Sequence, residues 1–159
     1  MTHLNQGDPA PDFTLSRDDS SSFTLSAQRG KRVVIYFYPE DDSGGCTDEN
    51  IEFSDLSPDF AARGAVLVGV SPDDIASHQK FRAKYGLKVP LAADPDHVAI
   101  EGFGLWQLKK LYGREFMGLI RTSFIIGEDG RVERIIRATR IKGHAAKMLA
   151  ALDEVIAAA

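Results

Sequence analysis

The residues best able to do covalent chemistry lie in one short segment, Pro39-Glu40-Asp41-Asp42-Ser43-Gly44-Gly45-Cys46. It ends on the only cysteine in 159 residues. One cysteine excludes a disulfide framework and a multi-cysteine zinc site. It leaves a buried structural thiol or a lone reactive one, and points to a reducing cytoplasm. Single cysteines are more often buried and inert. This one follows a glycine pair at the expected start of a helix, and that placement reverses the odds. A thiol in a first helical turn feels the partial positive charge of unpaired N–H groups, which favours the nucleophilic thiolate. Gly44 and Gly45 admit backbone geometries that other residues resist and let a ligand approach the main chain closely. None of the four histidines, His3, His78, His97 and His144, forms a ligand pair at a metal-binding spacing, so no metal is expected.

Two strands frame this segment. Arg32 to Tyr38 and Ala65 to Val70 are apolar on both faces and rich in β-branched and aromatic residues, the pattern of central, doubly covered strands. Between them, Cys46 to Ala62 reads as a helix with a kink or restart at Ser57-Pro58-Asp59. Ser71-Pro72-Asp73-Asp74 reads as an N-cap serine, a first-position proline and a capping acid; Gly86 closes that helix. Asp94-Pro95-Asp96 starts a short helix ending near Gly104. Hairpins are expected around Asp18 to Ser22 and Gly127 to Gly130, and an amphipathic helix from Gly143 to Ile156. No linker divides the chain, which predicts one α/β domain over 1–159: a thioredoxin-like fold, its central mixed β-sheet flanked by helices, with an N-terminal β-hairpin.

The formal charge is −4, so no basic excess suggests a nucleic-acid partner. The longest apolar run, Val33 to Tyr38, is far too short to span a membrane. The first residues lack the charged head and apolar stretch of a signal peptide.

The segment also matches a known signature. Pro39-x-x-x-Ser43-x-x-Cys46 resembles the peroxiredoxin pattern, and Tyr36 through Thr47 is similar to the bacterioferritin comigratory protein, or PrxQ, subfamily. Val68-Gly69-Val70-Ser71-Pro72-Asp73, Ser77-His78, Lys84-Tyr85-Gly86, Tyr112-Gly113, Met117-Gly118 and Arg121-Thr122-Ser123-Phe124 extend the match in order. The resemblance implies a thiol-dependent peroxidase for hydrogen peroxide and organic hydroperoxides, without a cofactor. Cys46 is then the nucleophile that becomes a sulfenic acid. Arg121 stabilises the leaving oxygen and the thiolate, and Ser43 holds a peroxide oxygen beside the sulfur. Gly45 and Cys46 lend backbone N–H groups to the substrate, and Pro39 walls the pocket. Glu49 orients Arg121. Taken singly, Ser43 reads more readily as a helix N-cap, Pro39 as a strand terminator, Arg121 as a surface cation and Glu49 as a solvated acid; their joint occurrence in the signature favours the functional reading. Trp106, Tyr112, Phe116 and Met117 read as a collar over the site or as core.

The chain departs from the subfamily at Ile51, where many members carry a resolving cysteine, and has Ser43-Gly44-Gly45 where Thr-Pro-Gly is usual. An intramolecular disulfide is impossible, which implies a one-cysteine cycle completed by an external thiol reductant: thioredoxin, glutaredoxin or a low-molecular-weight thiol. The competing reading is a redox sensor that signals by mixed disulfide. A third, weaker reading is a thioredoxin-type disulfide reductase, against which the lack of Cys-x-x-Cys counts strongly. A monomer or homodimer is expected.

Overall fold

A computed structural model describes residues 2–159. The elements run β1 (Thr14–Arg17), β2 (Ser22–Thr24), β3 (Val33–Phe37), α1 (Gly44–Ala62), β4 (Val66–Ser71), α2 (Ile75–Tyr85), β5 (Leu91–Ala93) and α3 (Val98–Gly102). They continue with β6 (Trp106–Leu111), β7 (Arg114–Leu119), β8 (Thr122–Ile126), β9 (Val132–Arg137) and α4 (His144–Ala158). Seven strands form one mixed sheet in the order β2-β1-β5-β4-β3-β8-β9. β3, β4 and β5 are parallel, whereas β1 and β8 join antiparallel. This is the expected thioredoxin-like sheet, with its N-terminal hairpin attached through β5.

Every residue of β3 is buried because both sheet faces are covered. Ile35 and Phe37 face a cluster with Phe13, Phe103 and Phe124, while Val34 and Tyr36 face one with Phe53, Phe81, Met148 and Leu152. Cys46 belongs to the second cluster, on the side covered by the long helices.

Several boundaries differ from expectation for local reasons. α1 starts at Gly44 and runs through Pro58 without a break. The proline cannot bond the Ser54 carbonyl, but the Ser57 hydroxyl donates to it at 2.9 Å instead. The cap of α2 is Asp74, which accepts from the Ser77 N–H at 2.8 Å, not Ser71, the last residue of β4. Gly86 ends α2 in the left-handed region, as expected. Asp94 serves the short α3 by accepting from Val98 and Ile100 N–H, both at 2.8 Å.

The β6–β7 ribbon was not foreseen. It turns at Tyr112 and Gly113, both at positive φ, the geometry a two-residue hairpin loop requires. Of Trp106, Tyr112, Phe116 and Met117, three are neither core nor a collar, while Leu119 at the end of β7 joins the core. Tyr112 is 95 % exposed at the tip, and Phe116 and Met117 are also exposed. Trp106 packs inward against the core, its ring 4.3 Å from that of His97.

Candidate active site

β3 delivers the chain to the loop 39–43, and α1 lifts Cys46 back over the sheet. β8 pairs antiparallel with β3, Tyr36 opposite Ser123, and continuing that register sets Arg121 at the same end of the sheet. Residues distant in sequence thus meet at the amino end of α1. Ser43 occupies the N-cap position, but its hydroxyl does not cap the helix; it donates to the Glu40 carbonyl at 3.1 Å. The first intrahelical bond runs from Thr47 N–H to Ser43 C=O at 2.8 Å. The amides of Gly44, Gly45 and Cys46 therefore have no helical acceptor and give this end its positive potential.

Cys46 is fully buried, and Arg121 Nη2 lies 3.1 Å from its Sγ. Arg121 Nη1 reaches Glu49 Oε1 at 2.5 Å, so one guanidinium spans thiol and carboxylate. This is no surface cation and no solvated acid. Glu49 is one helical turn beyond Cys46 and buried, with Oε2 unpartnered among the described residues. Burial pushes its carboxyl up to about 7, against the pull of Arg121. Burial also opposes the charge on Arg121, but Glu49 and Cys46 together hold its proton more tightly than usual.

The glycine pair acts differently from expectation. Neither glycine is at positive φ; the left-handed residue of this loop is Asp42. Gly45 instead supplies space. A Cβ there would stand 2.5 Å from Ile141 Cδ1, whose side chain packs over the helix end. Pro39 follows β3, half-buried, at the start of the loop. Ile51, at the position of the missing resolving cysteine, packs against the core on the helix side.

Three features had no sequence signal that stood out alone. Asn50 Nδ2 donates to the Cys46 carbonyl at 2.9 Å, and the buried Tyr36 hydroxyl donates to Asn50 Oδ1 at 2.7 Å, which fixes α1 to β3 behind the thiol. Lys109 of β6 donates to the Leu119 carbonyl at 2.8 Å beside Arg121. Burial weakens the hold of Lys109 on its proton, Arg121 and Arg137 add to this, and Cys46 pulls the other way. Under the loop, Asp41 receives bonds from Tyr38 and Ser77 and faces His78 Nδ1 at 2.7 Å. Asp41, Asp73 and His78 come close enough to share an ion, a grouping that histidine spacing along the chain did not suggest. Their oxygens and Nδ1 are instead joined through protein hydrogen bonds, so this is a network that anchors the loop.

A buried thiol held by a guanidinium at a helix amino end, on a thioredoxin-like sheet, defines a thiol-based redox enzyme. The AhpC/TSA family matches residues 6–135. Peroxiredoxin Bcp of Bacillus subtilis is 40% identical over 148 residues, 93% of this chain and 94% of that one. A structure of bacterioferritin comigratory protein from Xanthomonas campestris superposes with a TM-score of 0.87 at 36% identity, covering 97% of this chain and 98% of that one. A cysteine-to-serine mutant of Xylella fastidiosa PrxQ gives 0.91 at 32% identity, over 98% and 99%. The chain belongs to the AhpC/TSA family and is a peroxiredoxin of the Bcp/PrxQ kind, with the single cysteine of the one-cysteine type. Among the described residues, no helix is long and apolar enough to cross a membrane.

Proposed function

We propose that Cys46 is the peroxidatic nucleophile of a one-cysteine thiol peroxidase. The observation that carries this is the 3.1 Å approach of Arg121 Nη2 to Sγ while Nη1 is committed to Glu49. A guanidinium held at both nitrogens is oriented before substrate arrives, so its charge acts on the developing anion without reorganisation. A thiolate at this position attacks one peroxide oxygen. The sulfur becomes sulfenic acid, the O–O bond breaks, and the second oxygen leaves as hydroxide or alkoxide and takes a proton.

Each neighbour has a role in that step. The Ser43 hydroxyl proton is engaged by the Glu40 carbonyl, so its oxygen is turned to accept from the peroxide O–H. The free amides of Gly45 and Cys46 donate to the substrate oxygens, and Pro39 walls the pocket without adding a competing donor. Glu49 is a positioning residue acting through Arg121. The X. campestris relative is described with alkyl peroxide reduction activity, and we extend organic hydroperoxides, with hydrogen peroxide, to this chain.

The sulfenic acid is restored by an external thiol, because the chain has no second cysteine. That requirement suits a thiol-rich cytoplasm, with thioredoxin, glutaredoxin or a low-molecular-weight thiol as donor to a protein acting as one domain, monomer or homodimer. The test is peroxide consumption driven by dithiothreitol. Wild-type protein turns over and Cys46→Ser does not; equal turnover by the serine variant would remove Cys46 from the mechanism.

A further inference from the structure

The walls beside Arg121 are unusually basic for a chain of net charge −4. A cavity of about 340 Å³ is lined by Lys109, Arg121 and Arg137 with Ile120, Ala138 and Thr139. A second, of about 270 Å³, shares Arg137 and Thr139 and adds Arg140, Lys142, Lys147 and His144. Neither lining includes an acid. Arg32, Arg63, Arg82, Lys84 and Arg134 each meet a carboxylate, and described cations such as Lys31, Lys80 and Lys88 stand unpaired but line no shared acid-free cavity with Arg121. Among the described residues, Lys109, Arg137, Arg140, Lys142 and Lys147 form no ion pair. Glu49 is committed to Arg121, and Glu52 Oε1 accepts from the Gly143 N–H at 2.9 Å. The mutual field registers in two places. Arg121 and Arg137 help weaken the proton affinity of Lys109, and Lys147 and Arg121 reinforce the burial that holds His144 neutral, with its pKa down to about 4.

Cations left unpaired along a concave strip favour an anionic occupant. The strip ends at the guanidinium on Cys46, so the occupant is one the thiol cycle uses. Hydrogen peroxide brings no charge of its own to the site, whereas a thiol reductant that carries carboxylates does. Cys46 has no exposed surface, and Ile141, between Arg140 and Lys142, closes over Gly45.

We propose that the strip from Lys109 through Arg137 to Lys147 is the docking site of a low-molecular-weight thiol carrying carboxylates, the resolving reductant of the peroxidase cycle. The proposal rests on the peroxidase reading above. The carboxylates lie against Arg137, Arg140 and Lys147, and the thiol reaches Sγ past Ile141. Its sulfur displaces the sulfenic oxygen, forming a Cys46–S–S–R mixed disulfide and releasing water. A second thiol attacks the mixed disulfide, leaves as RSSR, and returns the Cys46 thiol. Overall, ROOH and two RSH yield ROH, RSSR and water.

The test separates the two half-reactions. One equivalent of hydrogen peroxide is added first and the Cys46 sulfenic acid is measured by mass; its absence would overturn the peroxidase reading and this proposal with it. The oxidised protein is then mixed with glutathione, which bears two carboxylates, or with its diethyl ester, and rates are compared per thiolate. At low ionic strength glutathione should react about tenfold faster, and the gap should close near 1 M salt, where the Debye length is about 3 Å. Arg137→Gln/Arg140→Gln should erase most of the preference while Cys46 is still oxidised by peroxide at the wild-type rate. Equal rates for acid and ester, or a preference unmoved by the double variant, would overturn the proposal.

Discussion

Arg121 stands with one Nη 3.1 Å from the Cys46 sulfur and the other 2.5 Å from Glu49. Two contacts from one rigid plane are something a lysine cannot reproduce, since an ammonium is a point charge on a flexible stem. Arg121→Gln should slow oxidation of Cys46 by peroxide by about 10²–10³, the usual effect of deleting one preorganised donor. Arg121→Lys should recover only part of the loss. Stopped-flow measurement of single-turnover oxidation checks both, and a lysine variant as fast as wild type would show that charge alone suffices.

Glu49 makes stability fall as pH rises. Its folded pKa of about 7 lies above the ordinary 4.5, because burial outweighs Arg121. Between those values the folded state binds the extra proton, so the stabilisation is complete below 4.5 and lost as pH rises through 7. Shifts of this size correspond to about 3 kcal/mol. Glu49→Gln carries no such charge and should flatten that part of the profile. Urea unfolding at pH 5 and pH 8 reads the difference. The same variant should oxidise more slowly at pH 8, where wild-type Glu49 is ionised and holds Arg121 in place.

The doubly apolar strands, the glycine at the end of α2 and the turn before β9 were legible because each is a local pattern with one physical cause. That Cys46, Arg121 and Glu49 lie together was legible only through resemblance to a family pattern, which no single residue carries. The Tyr36–Asn50 bond was not, because it joins a strand to a helix through groups that read individually as core and polar surface. The β6–β7 ribbon was missed for a different reason. Its apolar side chains suggest burial, and the turn at Tyr112-Gly113 outranks that pattern once both residues take positive φ. The basic strip is a tertiary feature in a chain whose total charge points the other way.

His78 should couple the active-site loop to pH. One ring nitrogen faces Asp41 at 2.7 Å and the other the Ala92 carbonyl at 3.0 Å, so two acceptors favour a doubly protonated ring. Burial opposes that charge, but the Asp41 hydrogen bond and charge overcome it, and the pKa is raised. A raised histidine pKa stabilises the fold fully below 6.5 and stops doing so as pH rises through the folded value. His78→Asn leaves Asp41 without its cationic partner and should cost on the order of 3 kcal/mol at pH 5.5. The difference from wild type should shrink by pH 8.5. Denaturant midpoints at the two pH values measure it, and a pH-independent difference would mean that His78 acts by shape alone.

Gly69 is required by Tyr36 and, through Tyr36, by the site. A Cβ on Gly69 would stand 2.6 Å from Tyr36 Cζ and 2.7 Å from its hydroxyl oxygen, with both residues buried in adjacent strands. The ring cannot retreat, because it stacks on Phe53 with centroids 4.0 Å apart. Gly69→Ala should therefore destabilise by about 1–3 kcal/mol through overpacking, which for a chain of this size is about 2–4 °C in Tm per kcal/mol. Tyr36→Phe separates the two consequences. It keeps the ring and the stacking but leaves Asn50 Oδ1 without its donor, a loss of about 1–3 kcal/mol for a buried acceptor. If the Tyr36–Asn50–Cys46 chain fixes the amino end of α1, both variants slow Cys46 oxidation at temperatures where they remain folded. Slower oxidation in Gly69→Ala alone would place the effect in strand packing rather than in the hydrogen-bond chain.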